Sequence, residues 1–393
     1  MGAGPVPQCL GGVRVLELAR QHAGPRAGMA LADLGAEVVK IEPPGGEETR
    51  RSLPQVKGVS VYFAAYNRGK KSVTLDLRSE RGKQIFVDLV PHADVVLENF
   101  RPGVMAAMGF DYERLRSINP RIILTSVSGF GQEGPYRDLP AFDSIVQAMS
   151  GIMHLNGLPV GQPVMTAMSI IDRVTALFAT IGTLGALYYR QTSGRGQHVD
   201  CCLMDSGLNL MEIPTATYAG TGQEIREGRG LAYRAMDGYV IISPVRQALW
   251  ARLFRAMGRE DLAENSDFAN IAADQDAASV RRILIKDWVA DKTVEEVVRI
   301  LRQAEVPVGP VRTPAQVLED PHLWAREMLV EVPTSGRAGA EKILAPGLNV
   351  KFSETPGVVG PVAEPGEHTT EVLSGLLHLG AEEIGALRQA GFV

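Results

Sequence analysis

Apolar positions in the first part of the chain cluster into short runs, and the segments between them carry helical spacing. The run VRVLEL (13–18) predicts a strand, AGPRAGMALADLG (23–35) a turn and a helix ending at Gly35, and AEVVKIE (36–42) a second strand. SVTLDL (72–77) continues the series. SERGKQIFVDLVPHA (79–93) predicts a helix with Ser79 as N-cap and Ile85, Leu89 and Val90 on one face. DVVLENF (94–100) and RIILTSVSGF (121–130) read as further strands, with a helix over 103–119 between them. Strands alternating with helices imply a parallel sheet covered on both faces. Runs rather than strict alternation suit strands buried on both sides.

The longest apolar helical pattern follows Asp172 and ends at TSGRGQ, after which HVDCCLMD reads as one more strand. Gly, Thr, Glu and Arg dominate 216–230, which predicts a linker. DGYVIIS (237–243) opens a second unit of one strand and several short helices. The tail from Met328 holds two strand-like pieces and a final helix over 381–392.

Composition changes this picture little. The chain has 393 residues, 45% hydrophobic and 22% charged, which suits a globular protein with a large core. A formal charge of −5 without a basic stripe argues against a nucleic-acid protein. Cys9, Cys201 and Cys202 form no C-x-x-C, and the N-terminus lacks a basic n-region and a long apolar h-region. Both features suit a reducing compartment, so the expected location is cytoplasmic. The apolar stretch over 174–189 is shorter than a membrane span.

Several motifs fail on their context. GFGQEG (129–134) matches the dinucleotide fingerprint in letters, but Pro135, Tyr136 and Pro140 follow where a helix must begin. There is no Walker A, no G-x-S-x-G and no H-E-x-x-H, and the seven histidines are scattered singly, so no metal site is expected. Three features remain besides an α/β crevice suited to phosphorylated ligands. The segment NRGKKSVTLDLRSERGK (67–83) concentrates Arg68, Lys70, Lys71, Arg78, Arg81 and Lys83, to meet phosphates or to form a solvated face. ENFRPG (98–103) offers an amide and an arginine at a strand end, or simply turn chemistry. Asp172 stands just ahead of the long helix, as an N-cap or as a reacting group. A carboxylate there is favoured by the helix dipole, and among Ile170, Ile171 and Ala167 it is poorly solvated and therefore nucleophilic.

These segments carry a family likeness. GVRVLELARQHAGPRAGMALADLGAEVVKIEPPGGEETR (12–50), NRGKKSVTLDLRSERGKQIF, ADVVLENFRPGVMAAMGFDYERLRSINPRIILTSVSGFGQEGPY and GALYYRQTSGRGQHVD resemble family III CoA-transferases, as do PVGPVRT (307–313) and GEHTTEVL (366–373). That group contains formyl-CoA:oxalate and crotonobetaine CoA-transferases. The resemblance implies an α/β chain with a Rossmann-like large domain and a smaller α+β domain, two copies forming an interlocked dimer. The expected boundaries are 1–215 for the first part of the large domain, 216–230 for the linker, 231–325 for the small domain and 326–393 for the return to the large domain.

The resemblance also implies the chemistry. Asp172 would attack an acyl-CoA to give an aspartyl anhydride and CoA thiolate, then carry CoA as an aspartyl thioester to an acceptor acid. Coenzyme A enters as substrate and product, and no metal is required. Water must be excluded, since it would hydrolyse the anhydride, and amide donors must meet the developing oxyanions. By motif, CoA binding falls to His22 and Ala23, to Leu75, Asp76, Leu77 and Arg78, to Asn99, Phe100 and Arg101, and to Ala141, Phe142 and Asp143. Arg78 and Arg101 are the phosphate partners among them.

Departures shape the substrate expectation. His22 replaces the Gln of formyl-CoA transferases and Phe142 their Tyr, and the segment 220–238 lacks their glycine run. Ala176 stands where the family often has Gly, which suggests a methyl group near the thioester. These lean away from oxalate towards a larger acid, with succinyl-CoA as a candidate donor and Arg20, Arg26 or Arg50 as partners for a distal carboxylate. Two other readings remain: an α-methylacyl-CoA racemase-like epimerase, in which a His would stand where Phe142 is, and a non-catalytic CoA-binding homologue.

Overall fold

The computed structural model describes residues 7–224, 232–265, 275–334 and 342–393. The chain divides into two compact units. One comprises the described residues up to Gly157, Pro163–Glu224 and His322–Val393; the other comprises Leu158–Gln162 and the described residues of Ile225–Pro321.

The first unit is built on six parallel strands: β1 (Arg14–Glu17), β2 (Glu37–Glu42), β3 (Lys71–Thr74), β4 (Val95–Glu98), β5 (Ile123–Ser128) and β6 (His198–Cys202). Their order across the sheet is β3-β2-β1-β4-β5-β6. The chain winds outward from β1 in one direction and then restarts beside it with β4. Loops leaving β1 and β4 therefore diverge at their C-terminal ends and open a crevice there, the usual ligand position in such sheets.

Both sheet faces are buried, as the continuous apolar runs require. On one face Val15, Val38, Val95, Leu97 and Ile123 pack with helix α1 (Ala23–Asp33) and with the long helix Ile170–Ser193. On the other, Leu16, Val39, Val73 and Val96 pack with helix Glu80–Leu89, helix Tyr112–Ile118 and the C-terminal helices Thr369–Leu377 and Ala381–Gln389. The tail thus completes the core of the first unit. The second unit has a three-stranded antiparallel sheet (Tyr233–Arg234, Tyr239–Ile242, Val308–Pro310) packed with helices through Val240, Leu253, Ile285, Val289, Val297 and Leu301.

Some elements differ from the sequence reading. The helix expected over 103–119 is two, Val104–Ala107 and Tyr112–Ile118: Gly109 takes a left-handed φ of 84°, and Asp111 then caps the second by accepting the Arg114 N–H. HVDCCLMD is a strand only to Cys202, whose thiol accepts the Asp205 N–H to start helix Leu203–Leu210. Helix Glu212–Thr221 occupies the start of the expected linker, and residues 225–231, the middle of the segment lacking the glycine run, lie outside the described residues.

The helix after Asp172 spans 24 residues, longer than the apolar stretch suggested and apolar enough to cross a membrane by length and composition. Its Ala176, Ala179, Ala186 and Leu187 are instead buried in the sheet core, while Leu177, Ile181 and Tyr188 on another face are exposed.

Candidate functional site

A cavity of about 510 Å³ lies in the crevice and is lined by Arg20–Ala23 after β1, Asn99 and Phe100 after β4, Ala141–Asp143, and Asp172. A second, of about 690 Å³, is lined by Leu75–Arg78 after β3 and meets the first at Arg20 and Phe100. Of the residues expected at the site, His22, Ala23, Asn99, Phe100, Ala141, Phe142, Asp143 and Asp172 fall in the first cavity. Leu75, Asp76, Leu77 and Arg78 fall in the second. Arg101 is exposed and lines neither.

The crevice walls are tied together by backbone chemistry. Asn99 accepts the Arg20 N–H at 2.7 Å and donates to the Arg20 carbonyl at 2.7 Å, so the β1 and β4 loops form one rim. Gly24 permits this approach, since a Cβ there would stand 2.5 Å from the Ala19 Cβ and 3.2 Å from Asn99. Beneath the rim Glu98 is buried and accepts the Phe100 N–H at 2.7 Å. Burial pushes its carboxyl up to about 7 against the Ser126 and Phe100 hydrogen bonds. GFGQEG is a loop, as the prolines that follow it imply: Ser128 accepts the Gly131 N–H and Asp200 the Gln132 N–H, and the next helix begins at Asp143.

Asp172 is not the N-cap of its helix. Ser169 holds that position without a side-chain cap bond, and Asp172 lies three residues on, in the first turn. The capping acceptor comes from elsewhere in the chain: Asp143 Oδ2 takes the N–H of Ile171 at 2.8 Å and of Asp172 at 3.1 Å. The other Asp143 oxygen accepts from Gln147, whose carbonyl oxygen accepts the Thr166 N–H and hydroxyl. Asp143 is therefore spent on fixing the helix start, and the Asp172 carboxylate is left partly exposed to the cavity. Spacing alone misassigned the cap because its provider begins an earlier helix, Asp143–Met149, and a further helix, Ile152–Gly157, intervenes in the chain.

The nearest basic group to Asp172 is also remote in sequence. His22 Nδ1 lies 3.3 Å from Asp172 Oδ2, and the buried imidazole stacks on Tyr66 with centroids 4.2 Å apart. Tyr62 meets both rings edge-on. Burial first, then Tyr66 and the Asp172 charge, raise the Tyr62 pKa, so its hydroxyl stays protonated. Sequence reading missed Tyr62 and Tyr66; their i, i+4 spacing after the Ser60 cap of helix Val61–Asn67 was the available signal. It also missed Glu48, which accepts from the Gln21 amide while Gln21 holds a left-handed φ of 65° at the rim.

The basic segment is mostly scaffold. Lys70 is buried and binds Glu17, Asn67 Oδ1 and the Pro25 carbonyl at 2.7–2.9 Å. Lys40, also buried, joins Glu17 to Glu47 and to the Ala19 carbonyl. This network anchors the β1–α1 turn that carries His22. Arg68 pairs with Asp33, Lys71 with Glu37 and Glu371, Arg81 with Glu383 and Lys83 with Glu80. Arg78 alone of the six is nearly fully exposed, at 90% of its side chain, and lines a cavity wall. Arg50 is taken by Glu42 and the Ala363 carbonyl, so it is not a partner for a distal carboxylate; Arg26 lies outside the crevice, while Arg20 lines it. Ala176 is a buried core residue that faces another cavity, so its methyl is not beside Asp172's cavity.

The model for "CoA-transferase family III" matches residues 10–369. A formyl-CoA:oxalate CoA-transferase of Streptomyces avermitilis is 37% identical over 98% of this chain and 100% of its own length. A succinyl-CoA–D-citramalate CoA-transferase of Chloroflexus aurantiacus is 38% identical over 97% of each chain. Among solved structures, a CaiB/BaiF family protein from Brucella suis superposes with a TM-score of 0.83 at 32% identity, over 94% of this chain and 99% of that one. The chain belongs to CoA-transferase family III.

Proposed function

We propose that the protein moves CoA from an acyl-CoA donor, with succinyl-CoA the leading candidate, to an organic acid, using Asp172 as a covalent carrier. The observation behind this reading is the Asp172 carboxylate in the first turn of a helix, open to a crevice at the sheet's switch point and 3.3 Å from His22. The helix N-terminus favours the anion that must attack.

In the first step an Asp172 oxygen bonds to the donor's thioester carbon, the C–S bond breaks and CoA leaves as thiolate, giving a mixed anhydride. The thiolate then attacks the aspartyl carbon and expels the donor's carboxylate, leaving CoA on Asp172 as a thioester. An acceptor carboxylate attacks that thioester and frees the thiolate again. The thiolate finally takes the acceptor's acyl carbon and returns Asp172 as carboxylate. Each step trades one activated acyl bond for another, so charge balances without a further reactant. Tyr62, Tyr66 and the Asn99–Arg20 rim narrow the access of water to the anhydride.

The pantetheine arm and nucleotide of CoA are assigned to the joined cavities, with Arg78 at a phosphate. Arg20 supplies the guanidinium of the crevice and is assigned to the distal carboxylate of a dicarboxylic acid. The Chloroflexus relative, named for succinyl-CoA and citramalate, supports that substrate class. We further assign the exposed Leu177, Ile181 and Tyr188 face to a homodimer contact, in the interlocked form the family likeness implies.

The test is transfer itself. The protein is incubated with succinyl-CoA and a panel of mono- and dicarboxylic acids, and acyl-CoAs and free succinate are quantified. A new acyl-CoA formed one-for-one with succinate supports the reading. No transfer, together with deuterium wash-in at Cα of a 2-methylacyl-CoA, would replace it with an epimerase.

A further inference from the structure

A separate cavity of about 250 Å³ opens on the first unit among Arg26, Asp33, Tyr66, Arg68, Arg173 and Asn349. Arg68 and Asp33 form a two-bonded pair, at 3.0 and 2.9 Å, and cancel each other. Arg26 and Arg173 do not cancel. Arg173 donates only to the Ser169 carbonyl at 3.2 Å and the Tyr66 hydroxyl at 3.4 Å, and has no carboxylate partner among the described residues. The Arg26 side chain has neither a hydrogen bond nor an ion pair among them, and its buried Nε is unpartnered. Burial, and with it the Arg173 charge, lowers the Arg26 pKa, whereas Tyr66 and Asp33 raise it. Two guanidinium groups that repel each other in a half-dry pocket are stable only at a cost that an anion between them removes.

We propose that this cavity is a binding site for a small oxyanion of two negative charges, inorganic phosphate or a short dicarboxylate, held between Arg26 and Arg173. The planar guanidinium matches either ligand in a two-bonded fashion. The site lies outside the Asp172 crevice, and binding is read without turnover, so it stands or falls independently of the transferase reading.

The test uses the full chain. Its melting midpoint is followed as sodium phosphate, and in a second series succinate, replaces sodium chloride at fixed ionic strength. The comparison is Arg26→Met, which keeps an apolar stem of similar reach. The expected result is a saturable rise in midpoint for the unaltered chain, and half-saturation at least about tenfold weaker in the variant, the loss of one charge-assisted contact. Phosphate alone, or succinate alone, producing this difference identifies which source of oxyanion the cavity takes. Without either anion, Arg26→Met should melt no lower than the unaltered chain, because a repulsion is relieved; a structural arginine would instead be missed. If Arg26→Met proves too unstable to titrate, Arg26→Lys, which keeps charge but loses the fork, should give intermediate half-saturation. Equal responses in chain and variant, or no response in the unaltered chain, would overturn the proposal. So would an Arg26→Met effect confined to self-association, which would mean that a second copy's carboxylate fills the cavity.

Discussion

Replacing Glu98 by Gln should remove a pH-dependent strain under the crevice rim. Glu98 is 3% exposed at the end of β4, and its carboxylate holds the Phe100 N–H. Burial raises its pKa from the ordinary 4.5 to about 7, opposed by hydrogen bonds from Ser126 and Phe100 and aided by the Asp200 charge. The folded chain therefore binds this proton more tightly than the unfolded chain. The resulting stabilisation is complete below the ordinary carboxyl range and is lost as pH rises through about 7. At ~1.4 kcal/mol per unit, the whole effect is roughly 3 kcal/mol, of which about 2 falls between about pH 5.5 and 8.5. An amide in the same place is neutral throughout, and its oxygen can still accept from Phe100. Urea unfolding of the two proteins at those pH values should show Glu98→Gln gaining about 2 kcal/mol on the unaltered chain as pH rises. A variant-minus-unaltered difference that stays constant, or one that falls as pH rises, would show that Glu98 is ionised in the folded chain well below neutrality, and the reasoning would fail.

Three other outcomes follow from the geometry. Gly28→Ala would place a Cβ 1.8 Å from the buried Glu17 Oε2, and the displaced Lys40–Glu17–Lys70 network should cost about 3 kcal/mol or more in unfolding free energy. His22→Phe keeps the stack on Tyr66 but removes the group beside Asp172; kcat should fall about tenfold or more with little change in melting midpoint, and unchanged kcat would remove His22 from the mechanism. Arg78→Ala should raise KM for the acyl-CoA by up to about tenfold and leave kcat near its original value, since an exposed phosphate contact adds binding but no transition-state selectivity.

Local pattern made the central α/β framework legible. Ser79 caps the helix it was expected to cap, and the runs at 13–18, 36–42 and 94–100 are sheet strands. Strand order was not legible, because alternation of strands and helices does not say that β4 returns beside β1. The site was legible only in part. Likeness to a family pointed to Asp172, and the structure brings eight of the expected positions around one cavity. What spacing could not supply were the partners that come from afar: Asp143 as the cap of the Asp172 helix, and His22 beside the carboxylate. Charge density misled for a physical reason. Lys70 and Arg68 belong to a basic run, yet buried carboxylates at Glu17 and a partly buried one at Asp33 consume them, so a run of like charge read as a phosphate surface is largely internal scaffolding.

The most direct test of the account is covalent. The protein is mixed with succinyl-CoA, trapped separately with hydroxylamine and with borohydride, digested, and its peptides are weighed by mass spectrometry. The account predicts a trapped adduct on the peptide carrying Asp172, and neither adduct nor transfer in Asp172→Ala. Transfer that persists in Asp172→Ala, or an adduct on any other side chain, would contradict it.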